Sequence, residues 1–174
     1  MTRLLARPVH AGRWDVVNSL SSASFAVRNF GVKTVRGQLP IQHAWVDINA
    51  DGRPSGVHAV LDLGGIDTGN ARRDTDLRKP NLLGTAQYPT LTFRAGAAEP
   101  HDVGWTLPGR IEARGRVLDV ALDIRASDAN RRDHVAVRAT TTIDRRELGV
   151  RAPRFLIGRW IIVTIDVVLR GPEH

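Results

Sequence analysis

Apolar and polar residues alternate with a period of two along most of this chain. Ala23, Phe25 and Val27 alternate with Ser24, Ala26 and Arg28, and after Gly31 the segment Val35 to Leu39 resumes as a strand. Beyond Pro40, Ala44, Val46 and Ile48 oppose His43, Trp45 and Asp47, and Val57, Ala59, Leu61 and Leu63 oppose His58 and Asp62. The second half repeats the pattern with Leu91 and Phe93, then Trp105, Leu107 and Ile111, then Leu118, Val120, Leu122 and Ile124. Val135, Val137, Ala139 and Ile143 follow, and Ile161, Val163, Ile165, Val167 and Leu169 end the series. Successive side chains of a strand point to opposite faces, so each segment has one apolar and one polar face.

Eight or nine such strands, joined mostly by short turns such as Asn49-Ala50-Asp51-Gly52, must share one interior. An antiparallel closed barrel provides that interior and removes the sheet edges, and eight strands leave room for side chains or one small ligand. A two-sheet sandwich fits the same periodicity. The 174 residues suit one domain. The expected architecture is all-β, an antiparallel lipocalin-like barrel of about eight strands over residues 13–171 behind an extension at 1–12.

One segment breaks the alternation. Gly65 to Phe93 reads as a strand end, a Gly-rich turn, a short basic helix from Ala71 to about Arg78, a second turn and a new strand. Asn70, or Asp67 with Thr68, can cap that helix, and Gly69 tolerates a positive φ. Arg73 and Asp74 are adjacent in sequence, so on a helix they cannot pair well with each other. Each can instead tie the helix to the barrel, for example to Arg145 or Asp144.

The formal net charge is +7, nearly all from arginine, since Lys33 and Lys79 are the only lysines. Such a balance attracts phosphates, nucleic acid or anionic headgroups. Yet the arginines are scattered rather than blocked, as on an ordinary solvated surface. There is no cysteine, which removes disulfides and thiolate chemistry. No window has the length of a membrane span, and the N-terminal apolar run is too short for a secretory signal, so a soluble cytoplasmic protein is expected, without stable membrane insertion.

Ile66, Asp67, Thr68, Gly69, Asn70, Arg73, Asp74, Leu77, Arg78, Tyr88, Pro89, Thr92 and Phe93 together resemble the central motif of the YceI-like family. Motif order and spacing agree elsewhere: Trp14, Val16, Ser21 and Phe25, then Val27, Val32, Val35, Gly37 and Leu39. Later come Gly109, Ile111 and Gly115, then Thr140, Ile143, Asp144, Arg145 and Gly149, then Gly158. The resemblance runs from about Trp14 to Leu169. Departures are Leu20 and Asn29 where histidine is usual, Val17 for Asp and Leu148 for Phe, with a short loop from Gly149 to Gly158. The two missing histidines remove polar groups that could hold a ligand head.

The resemblance implies a carrier without cofactor that holds a polyisoprenoid, an isoprenoid quinone or a fatty-acid-like amphiphile inside the barrel. Phe25, Val27, Val46, Leu61, Leu63, Phe93, Leu107 and Ile165 would bury the chain, and Asn29, Arg72 or Arg73 would meet the head. Packing alone asks for the same apolar residues, and a solvated helix face for the same arginines. The six histidines are dispersed, and no H-E-x-x-H pair, nucleophile elbow or phosphate-cradling loop is present, so neither a metal site nor a catalytic residue is expected. A cyclase or isomerase within the barrel would need a titratable group on an inward face. A nucleic-acid-binding barrel would need aromatics interleaved with its basic residues, and only Trp45 falls on a polar face, so no nucleic-acid partner is expected. Trp45 beside His43 and Val60 suits a homodimer interface, against the alternative of a monomer whose own loop covers it.

Overall fold

The computed structural model describes residues 9–29, 33–128, 133–151 and 158–172. Eleven strands form: β1 (Gly12–Val16), β2 (Ser22–Asn29), β3 (Lys33–Leu39), β4 (Ile41–Ile48), β5 (Pro54–Asp62), β6 (Thr90–Ala95), β7 (Glu99–His101), β8 (Gly104–Ala113), β9 (Arg116–Asp128), β10 (His134–Asp144) and β11 (Trp160–Arg170). One helix, α1 (Ala71–Leu77), lies between β5 and β6. Eight strands in the order β1-β4-β5-β6-β8-β9-β10-β11 close into an antiparallel barrel through the pairing of Asp15 with Arg170 and Val16 with Leu169. The lipocalin-like barrel expected from the alternation is therefore the observed fold.

Of the three extra strands, the short β7 pairs only with β8, and β2 and β3 come from breaks in the first two staves. The first stave is split by a 3-10 turn at Asn18–Leu20. Below the turn β1 pairs with β4 and β11, and above it β2 pairs with β11 and β3. The second stave breaks at Pro40, which lies between β3 and β4. Proline lacks the N–H that a continuous ladder needs. The β2–β3 hairpin thus leaves the closed ring at one end, and β3 carries an outer edge.

The interior holds the inward residues of all staves. Leu107 is 1% exposed, and Trp14, Ala23, Val27, Leu61, Leu63, Phe93, Ile111, Leu118, Leu122, Ile124, Ala139 and Ile143 are also buried. Each large aliphatic or aromatic side chain contributes roughly 1.5–3 kcal/mol on burial. The polar faces carry cross-strand ion pairs, such as Arg13–Asp47, Arg110–Asp119 and Arg138–Asp166. Part of the scattered arginine charge therefore sits on a solvated surface beside aspartates. No described helix is long and apolar enough to cross a membrane.

Candidate functional site

The staves do not fill the barrel. Two adjacent apolar lobes remain, of about 120 Å3 and about 190 Å3. An apolar cavity of about 150 Å3 can stay dry and accept a benzene-sized guest, so each lobe is of the size that accepts part of a hydrocarbon. The smaller lobe lies towards the end where β4 turns into β5, with Trp14, Val46, Val57, Trp105, Leu107, Ala139 and Val137 in its wall. The larger lobe lies beneath α1, with Val27, Leu61, Leu63, Ile66, Leu77, Leu83, Ile143 and Leu148.

Ala44, Ala59, Phe93, Leu122, Ile165 and Val167 line both lobes and form the waist between them. Ala44 and Ala59 face each other across β4 and β5. Their side chains are small on that side of the waist, while on the other side stands the Phe93 ring, lying over Gly109. Thus the alanines on the apolar faces are where the space is.

Neither lobe is lined by Asp, Glu or His among the described residues. Arg145 reaches the larger lobe and is 5% exposed. Its guanidinium donates to the carbonyls of Val150 (2.8 Å) and Gly158 (3.0 Å), which directs its polar atoms into the chain. Such a lining accepts hydrocarbon and penalises a polar group, because an unpaired polar group in an apolar interior loses its hydrogen bonds to water.

The α1 end is sealed by polar contacts. Asn70 caps the helix by accepting from the Arg73 N–H, and Gly69 adopts φ +77°. The buried Asp74 carboxylate accepts from the Thr68 N–H (3.0 Å) and hydroxyl (2.5 Å). Arg73 donates to the Thr68 hydroxyl oxygen and carbonyl, and Arg78 to the carbonyls of Gly64 and Ile66. The expected tie between helix and barrel therefore runs through Thr68, just before the Asn70 cap, rather than through Asp144 or Arg145. Asp144 pairs instead with Arg146 (3.2 Å) and Arg159 (2.9 Å). Hydrogen bonding from Arg146, then Arg159, holds its carboxyl at about 2 against the desolvation that opposes them.

Of the residues expected to contact a ligand, Val27, Leu61 and Leu63 line the larger lobe, Val46 and Leu107 the smaller, and Phe93 and Ile165 both. Phe25 lines the larger lobe and also an outer groove described below. Arg73 is held by Thr68, whereas Arg72 stands exposed on α1. The Asn29 side chain lies outside the described residues. Ala44, Ala59 and Leu122 complete the waist; their inward register was legible, but only packing shows that they are a constriction. Trp45 lies on the outer face, stacked on His58 (5.6 Å between ring centres), with the Arg13 guanidinium 3.7 Å over its ring. Burial, Arg94, His43 and Arg13 together lower the His58 pKa below its ordinary value.

A family profile described as a YceI-like domain matches residues 14–169. A UPF0312 protein of Yersinia enterocolitica is 28% identical over 67 residues, which span 38% of this chain and 35% of that protein. The chain thus aligns with about a third of that relative's length. Among solved structures, BcnA of Burkholderia cenocepacia superposes with a TM-score of 0.78 at 15% identity, covering 88% of this chain and 99% of that one. A polyisoprenoid binding domain from Saccharophagus degradans, implicated in plant cell wall breakdown, gives a TM-score of 0.67 at 15% identity, covering 91% and 98%. At these identities the superpositions establish the shared barrel.

Proposed function

The chain belongs to the YceI-like family, and from that premise we propose that it is a non-catalytic carrier of a long apolar or amphiphilic molecule held inside the barrel. The ligand class is a polyisoprenoid, an isoprenoid quinone or a fatty-acid-like lipid. The observation that carries this reading is the pair of apolar lobes that share a wall of small and large residues. Val27, Val46, Leu61, Leu63, Leu107 and Ile165 would enclose the hydrocarbon, each buried methylene contributing about 0.8 kcal/mol. The buried ionisable side chains also favour a carrier. Asp74, His134, Asp144 and Arg145 are each engaged by neighbouring polar groups of the fold. None presents a carboxylate or imidazole to the lobes.

Native mass spectrometry and organic extraction of the purified protein test this directly. The expected result is a co-purifying molecule with a long hydrocarbon chain, or uptake of a fluorescent fatty acid by the extracted protein. Ala59→Phe fills the waist, and its expected effect is at least about a tenfold loss of uptake with the fold retained. A wild-type protein that neither carries lipid nor takes up the probe would overturn the carrier reading.

A further inference from the structure

The β2–β3 hairpin leaves the barrel beside α1 and creates a groove on the outer surface. Its floor is the outward face of β2, β3 and β11, where Ser24, Ala26, Ile162 and Thr164 lie side by side. Its volume is about 950 Å3, larger than either inner lobe. Arg28 and Arg36 project into it from neighbouring strands. Arg28 is opposite Thr34, so Arg36 is its diagonal neighbour, within the roughly 7–8 Å over which long side chains reach one target. Arg13, Arg110, Arg125 and Arg138 on other staves sit beside an aspartate. These two have no acidic partner among the described residues, and the groove's one carboxylate, Asp67, already accepts from the Gly69 N–H (2.8 Å).

The groove and the larger lobe share two wall residues, Ser24 and Phe25. Phe25 points inward, like Ala23 and Val27, yet those two are 2% and 7% exposed whereas Phe25 is half-buried. Its ring passes over Gly37 of β3 towards the Thr68 methyl, in space that any side chain at position 37 would occupy. Beyond it runs the outer edge of β3. Gln38 exchanges both backbone hydrogen bonds with Asp67 (2.8 and 3.0 Å). Alternation along an antiparallel strand turns the backbone groups of Arg36 and Thr34 the same way, and among the described residues they meet no strand there. The apolar lobe and the cationic groove therefore meet at Ser24 and the Phe25 ring, beside an open strand edge.

We infer that this groove is the headgroup site for an amphiphile carrying a phosphate or carboxylate. The tail lies in the larger lobe, the chain passes the Phe25 ring between β3 and the Asp67–Gly69 turn, and Arg28 and Arg36 hold the anion outside. The inference rests on the carrier reading. It supplies the charge recognition that the lobes lack, because charge-assisted contacts from guanidinium to phosphate or carboxylate form where water still reaches them. The headgroup then stays hydrated while the tail is buried.

Titration calorimetry on the lipid-extracted full chain at low ionic strength tests this with three probes: octyl phosphate, octan-1-ol and inorganic phosphate. Octyl phosphate is expected to bind about tenfold more tightly than octan-1-ol. The Arg28→Gln/Arg36→Gln double variant should bring it down to the octan-1-ol value and leave octan-1-ol unchanged. Arg110→Gln, a charge change of the same kind on the exposed face of β8, should alter neither. Both alkyl probes binding equally, or a preference for octyl phosphate that survives the double variant, would overturn the headgroup site and leave the carrier intact. Inorganic phosphate binding as tightly as octyl phosphate would make the groove a free-anion site uncoupled from the lobe, which also overturns the inference. If neither alkyl probe binds, the carrier reading fails and the headgroup site fails with it.

Discussion

At the α1 end of the barrel, Thr68, Asp74, Arg73 and Arg78 close the interior with charge-assisted hydrogen bonds, and Asp144 with Arg146 and Arg159 stands at the start of β11. At the opposite end, closure is by packing. Trp14 is 4% exposed, lies against Gly171 and makes one hydrogen bond, from its indole N–H to the His10 carbonyl (2.8 Å). The staves running between the two ends have the same apolar composition, yet the ends differ in the physics that holds them. Hydrogen bonds to charged groups demand fixed geometry, so the α1 end positions a loop, and with it the Phe25 ring and the slot beside β3. Packing of an indole demands only volume and apolar surface. The end that borders the outer groove is thus the polar one.

This contrast can be broken by substitution. Trp14→Ala should have the largest effect, about 3–5 kcal/mol of lost stability in denaturant unfolding, from buried area and the cavity left behind. Because the loss is apolar, it should be the same at neutral and at acid pH. A pH-dependent loss would show that the packed end also relies on charge.

Asp74→Ala should cost less, about 2–3 kcal/mol, since it leaves the Thr68 N–H and hydroxyl without their charged acceptor. Asp74→Asn keeps an acceptor oxygen and should recover part of the loss. Equal stabilities for both variants and wild type would mean that packing, not Asp74, holds the α1 end.

Asp144→Asn sharpens the comparison through pH. The folded carboxyl is held at about 2, below the ordinary aspartate value. Its stabilisation is therefore fully present above the unfolded value and is lost as pH falls through the folded one. Wild type should melt several degrees above the variant at neutral pH, and the two curves should converge as pH approaches about 2. A gap that persists in acid would place the effect in side-chain shape rather than charge.

The smallest effect on stability is expected from Trp45→Glu, on the outer surface of the packed end. Its contacts are a stack with His58 and the Arg13 cation. If a second copy covers Trp45, light scattering should show a wild-type dimer and a folded monomeric variant. Two monomer masses would end the dimer idea and leave Trp45 covered by Arg13 and His58 of its own chain.

Side-chain direction along a strand is a local property, so the inward sets, an all-β fold and the helix at Ala71 could be read from the chain alone, whereas the same alternation fits a barrel or a sandwich. The capping role of Asn70 and the turn at Gly69 were legible for the same reason, since both depend on atoms a few residues apart. The partner of Arg73 and Asp74 was nearly as local, but which of several nearby acceptors wins depends on how the turn folds back, and Thr68 won. The split of the first stave, the departure of β2 and β3 from the ring and the open edge at Thr34 and Arg36 are outcomes of closing a ring. They depend on which strand ends meet, and no single strand carries that information. The same holds for the interior. Ala44, Ala59 and Phe93 each read as one more inward residue, and only their meeting across β4, β5 and β6 makes them a waist. Arg28, Arg36 and Phe25 read as two surface charges and a core ring. Tertiary structure alone set them where the larger lobe meets the outer groove, because cavities and charge clusters are properties of the space between strands.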